Sequence, residues 1–62
     1  MEEITKYWLI VTNMKTRTQV DIGEYSEAMR DKRAREVCRD ARRRGIEKDI
    51  VLRYKEQKIV LP

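Results

Sequence analysis

Two apolar periods organise the chain, one of two residues and one of about three and a half. Residues 4–12 (ITKYWLIVT) are dense in β-branched and aromatic side chains, as strands prefer. Their alternate faces are both apolar at the centre, Trp8 and Ile10 on one, Tyr7, Leu9 and Val11 on the other. A strand apolar on both sides belongs in the middle of a sheet with cover on each face. After a polar turn over 13–16, residues 17–23 (RTQVDIG) alternate cleanly, with Val20 and Ile22 opposed to Gln19 and Asp21. The connection has the length of a four-residue antiparallel hairpin, and Gly23 marks a strand end or bulge.

The helical period follows. Ala34, Val37, Cys38 and Ala41 recur at helical spacing and predict one face of a helix. Its start is either Ser26 or Asp31, both competent N-caps, and its last residue is about Arg44. Gly45 then serves as the C′ residue, with Ile46 as the apolar closure of a Schellman-type cap. Residues 50–54 (IVLRY) read as a third strand, 55–58 as a turn, and 58–61 as a short last strand closed by Pro62.

The predicted architecture is a single α+β domain, ββαββ, with an antiparallel four-stranded sheet in the order 2-1-3-4 and one helix across one face. This order avoids crossed connections and places the most apolar strand centrally. The small residues of the helical stripe would let the axis lie close to the sheet, where Val20, Ile22, Ile50, Leu52 and Ile59 complete a thin core.

Length sharpens that last point. Sixty-two residues make one domain, and a domain of about 60 residues buries only roughly 60% of the surface its unfolded chain exposes. Small chains compensate with disulfides, a metal or a second subunit. A single cysteine and no histidine leave neither a disulfide nor a Cys/His zinc site. A homodimer is therefore expected, with a hyperstable, charge-rich monomer as the rival. No apolar run approaches the roughly 20 residues of a membrane span, and the start MEEITK lacks the basic beginning of a secretory signal. A cytoplasmic setting is the expectation, and an unpaired cysteine agrees with a reducing compartment.

Charge changes the picture more than size does. The net charge is +4, yet residues 1–29 sum to −2 while residues 30–44 (RDKRAREVCRDARRR) sum to +5. On a helical wheel Lys32, Arg35, Arg39, Arg42 and Arg43 form one ridge away from the apolar stripe. Such a ridge suits contact with phosphates. A solvated face explains it too: cations favour the last turn of a helix, and Asp40 can pair with Arg43 or Arg44, and Lys32 with Glu36. Against that, Arg30, Lys32 and Arg33 sit near the helix start, where positive charge is unfavourable.

A second candidate surface is the sheet face turned from the helix. It would carry Arg17, Arg53 and Lys55, with either Trp8 and Ile10 or the Tyr7, Leu9, Val11 set from the first strand. Aromatics on a basic sheet stack bases in single-strand readers, and a dimer interface accounts for the same apolar strip. Cys38 reads as a buried small hydrophobe. The chain offers no phosphate-cradling glycine loop, and its carboxylate pairs Glu2/Glu3 and Glu47/Asp49 read as solvated.

The expected function is accordingly non-enzymatic, without cofactor or small-molecule substrate and away from membranes. The Arg-rich helix is expected to contact an anionic partner, nucleic acid first and an acidic protein surface second. Two alternatives stand beside it. One is a regulator that binds a host protein, since in element order alone the chain is similar to small phage proteins that bind and block host enzymes. The other is a purely structural subunit that dimerises.

Overall fold

The computed structural model describes residues 2–62. Strand β1 (Glu2–Asn13) turns into β2 (Thr18–Glu24), helix α1 (Glu27–Arg43) follows, and a 3₁₀ turn (Glu47–Asp49) leads into β3 (Ile50–Leu61). The sheet has three antiparallel strands in the order β2-β1-β3. Among the described residues the fold is thus ββαβ, and the expected separate fourth strand, 58–61, is the end of β3. Residues 55–58 are strand rather than turn, because β3 pairs with β1 from Asn13↔Ile50 to Glu2↔Leu61 without a break. The stretch KEQK is polar but contains no Gly, Pro or Asn to break a strand. Its side chains also find partners across the ladder. Trp8 Nε1 donates to Gln57 Oε1 at 3.0 Å, and Lys58 Nζ lies 3.6 Å from Glu3.

The β1–β2 turn is built by Asn13, whose Oδ1 accepts from the backbone N–H groups of Lys15 (3.0 Å) and Thr16 (3.2 Å). Arg17 closes it at φ 58°, and is therefore part of the turn rather than the first residue of β2. That left-handed conformation costs a β-carbon-bearing residue roughly 1–2 kcal/mol, which glycine escapes at some cost in chain entropy. Arg17→Gly is expected to stabilise the domain by about 0.5 kcal/mol, read as a higher urea midpoint at unchanged m. A lower midpoint would contradict this account of the turn.

Ser26 caps α1, its Oγ accepting from Met29 N–H at 3.3 Å, and Asp31 lies inside the second turn. The helix ends at Gly45 (φ 71°) with Ile46 N–H bonded to Ala41 C=O (2.9 Å) and Gly45 N–H to Arg42 C=O (3.1 Å). These are the two hydrogen bonds of a Schellman cap.

The register assigns the faces. Tyr7, Leu9 and Val11 share one side of the sheet with Val20, Ile22, Leu52 and Tyr54, because directly paired residues point the same way. The helix packs on this side, over β1 and β2. Leu9 is fully buried beneath it, and Ala34 and Ala41 hold the axis close. The fourth buried residue is Arg30. Arg30, Ala34, Val37 and Ala41 follow the i, i+4, i+7, i+11 spacing of a single helical stripe. Cys38, expected inside, is exposed. The stripe is centred toward Val37, on the β2 side, and Cys38 falls on its opposite rim.

Two consequences follow from this placement. Among the described residues, no element lies over the other sheet face, which bears Ile4, Lys6, Trp8 and Ile10, so the apolar pattern on both sides of β1 does not correspond to cover on both sides. Beyond Tyr7↔Glu24, moreover, β2 stops, and β1 and β3 continue as a two-stranded ribbon. The molecule is a slab of 46 × 22 × 10 Å with a radius of gyration of 13.6 Å, against about 10.6 Å for a compact chain of this length.

Candidate nucleic-acid groove

Because α1 rests on β1 and β2, the helix-side face of β3 is left open. Between helix and strand runs a groove of about 530 Å³ lined by Asp31, Ala34, Arg35, Cys38, Arg39, Arg42 and Tyr54. The helix places its charges unequally about this groove. Arg35, Arg39 and Arg42 are on the flank facing β3, while Glu36 and Asp40 are on the flank facing β2, where a second, apolar cleft runs past Val20, Ile22 and Val37. Helical geometry causes the separation, since 35, 39 and 42 lie within one third of the wheel and 36 and 40 on its other side.

Ion pairing separates the ridge further. Asp40 accepts from Arg43 (2.7 Å) and Arg44 (3.4 Å), and the Arg43 hydrogen bond foremost holds its carboxyl below the usual carboxylate range. Arg42 Nε reaches Glu47 at 3.2 Å. Glu36 pairs with Arg33 (3.4 Å) rather than with Lys32, and Arg33 also meets Glu24 at 3.1 Å. The Glu24 hydrogen bond is the main cause of the raised pKa of Arg33, which keeps the guanidinium charged throughout the working range. Among the described residues, Lys32, Arg35 and Arg39 form no ion pair. Of the predicted ridge, then, Arg42 and Arg43 are partly neutralised at home, while Lys32, Arg35 and Arg39 keep their donors toward solvent.

Tyr54 floors the groove and is 55% exposed. Arg30 fixes it from above. Its guanidinium lies 4.8 Å from the Tyr54 ring and 5.5 Å from that of Tyr7, while Nη2 reaches Asp31 (3.3 Å) and Glu27 (3.5 Å). A charged group is tolerated between helix and sheet because two aromatic faces and two carboxylates surround it and its alkyl stem packs on Leu9's side of the sheet. Sequence reasoning counted Arg30 only as charge. The signal that could have found it is its place four residues before Ala34 and eleven before Ala41.

The sheet-face candidates divide. Trp8, Arg53 and Lys55 are neighbours on the uncovered face, through the pairs Trp8↔Lys55 and Ile10↔Arg53. Lys6 Nζ covers the Trp8 ring at 4.3 Å and approaches Tyr25 at 5.4 Å. Gly23 makes room for this stack, since a Cβ there would meet Lys6 Cε and Trp8 Cζ3. One face of the indole is thus already occupied by a cation. This cluster lies on the opposite side of the sheet from the helix ridge, and Arg17 is in the β1–β2 turn, so the two predicted surfaces do not merge.

Among the described residues, no group of three or more His, Cys, Asp or Glu side chains is placed to hold a metal ion. Among the described residues, no helix is long and apolar enough to cross a membrane. The fold and groove define a small α+β domain with an arginine-flanked cleft. No family model, curated protein or solved structure matches the chain.

Proposed function

We propose that the protein binds single-stranded nucleic acid in the α1–β3 groove, by contact and without catalysis. The observation that carries this reading is the union of unpaired Arg35 and Arg39 with a half-open tyrosine in one channel. Residues 35 and 39 are one helical turn apart, about 6 Å along the axis, a step comparable with the spacing of successive phosphates. Tyr54 offers a ring on which an unpaired base stacks, a surface that duplex bases do not use. An acidic protein would satisfy the arginines but leave the ring without a partner of its own kind.

Fluorescence anisotropy with a labelled oligo-dT or oligo-U tests it. Binding should weaken with salt at a log–log slope of about −1.4, since Arg35 and Arg39 take one phosphate each and each neutralised phosphate contributes about −0.7 on a single strand. Bound oligonucleotide should also slow alkylation of Cys38, which lies in the groove. Absence of binding at low salt would overturn the reading. So would equal competition by polyglutamate of matched charge, which would show a surface that reads negative charge alone.

A further inference from the structure

The longest unsatisfied feature of the molecule is the outer edge of β3. Along the twelve residues Ile50–Leu61, every second residue turns its backbone N–H and C=O outward with no partner strand among the described residues, whereas the opposite edge strand, β2, is seven residues long. Half of that ribbon has no helix behind it, and isolated two-stranded ribbons are marginal in water. Open edges invite another strand, and the side chains of β3 specify which one.

We infer that two copies of this chain join antiparallel along β3, centred on Gln57, into one six-stranded sheet. A two-fold axis perpendicular to the sheet pairs residues of like parity and keeps the faces continuous. Centring on Gln57 sets Glu56 opposite Lys58 of the second copy, twice by symmetry. It also sets Tyr54 beside Val60, two apolar side chains on the helix face that are 55% and 60% exposed in the single chain. Aromatic and β-branched neighbours of this kind stabilise adjacent strands. The neighbouring registers are penalised: centring on Glu56 opposes two glutamates, and centring on Lys55 or Lys58 opposes two lysines. Charges that ordinarily keep an edge strand solitary here favour the Gln57-centred register over these neighbours. Face-to-face packing of the uncovered sheet side would instead bring Lys6, Arg53 and Lys55 of one copy against those of the other.

Both helices then stand on one side of the joined sheet, and their arginine flanks face each other across β3 and its mate. The pairing does not depend on the nucleic-acid reading, since it is measured without ligand.

Sedimentation equilibrium of the full chain tests it, with a mass of twice 7.5 kDa expected. Glu56→Lys alone and Lys58→Glu alone each place like charges opposite one another, and each should weaken self-association about tenfold or more. An equimolar mixture of the two variants restores both ion pairs in a heterodimer, and should recover the parental mass at the parental concentration. Recovery on mixing excludes misfolding as the cause of the single-variant loss. A parent of 7.5 kDa at high concentration, or single variants that dimerise as the parent does, or a mixture that fails to recover, would each overturn the proposal.

Discussion

Arg35→Glu combined with Arg39→Glu is expected to abolish the proposed oligonucleotide binding while leaving the circular dichroism and urea midpoint near parental values. Both side chains are exposed and unpaired, so their loss removes no native contact. Surface substitutions of this kind ordinarily change stability by no more than about 0.5 kcal/mol. The effect on binding is far larger. Two phosphate partners are lost and two repulsive charges introduced, which should weaken binding more than about 100-fold at moderate salt. Because the change also lowers net charge by four, a control is required. Lys15→Glu with Lys48→Glu makes the same change away from the groove, and should cost less than about fivefold by long-range attraction alone. Equal losses in the two variants would mean that the protein attracts polyanions by net charge and that the groove has no part in it. Tyr54→Ala supplies the complementary measurement, with a loss of about 1–3 kcal/mol if a base stacks there.

The second large effect is on folding. Arg30→Ala is expected to destabilise the domain by about 2–3 kcal/mol, in the range of removing a long buried side chain. The contributions are the stem packed under the helix, the cation held over Tyr54 and Tyr7, and the bonds to Asp31 and Glu27. For a domain of this size each kcal/mol moves the thermal midpoint by about 4–8 °C, so a drop of roughly 10–20 °C is the readout. Arg30→Met keeps most of the stem volume and removes the charge, and should recover about half of the loss. If Arg30→Ala melts with the parent, the guanidinium is not part of the core and Tyr54 is not held by it. Arg30 therefore connects stability to the proposed site: the residue that fills the gap under the helix also orients the floor of the groove.

Arg30 illustrates how a residue's role can be hidden by its type. By period it belongs to the stripe of Ala34, Val37 and Ala41, and the linear chain offers a cation there only the neighbouring carboxylates Glu27 and Asp31. The aromatic partners, Tyr7 and Tyr54, are 23 residues before and 24 after it. Only the pairing of Leu9 with Tyr54, which sets Tyr7 and Tyr54 close together on one face, makes the position habitable. β3 also depends on distant residues. The KEQK stretch is as polar as a turn, and what makes it strand is a ladder to Thr5–Trp8 near the other end of the chain.

What the chain settled by itself is local. The central strand and its alternation, the helix with a cap at Ser26 or Asp31, the glycine closure at Gly45 and the ridge of Lys32, Arg35, Arg39, Arg42 and Arg43 all arise from periodicity and from the φ/ψ preferences of single residues. Tertiary structure decided the number of strands, the exposure of Cys38 and the choice of outward face for Trp8. It also decided which arginines stay free. The strand count follows from the unbroken β1–β3 ladder, and the other features from the helix resting over β1 and β2 and not over β3; both are set by packing between distant segments. The physical reason is range. Caps, turns and amphipathic stripes act within a few residues, whereas ion pairing and burial depend on which surfaces meet.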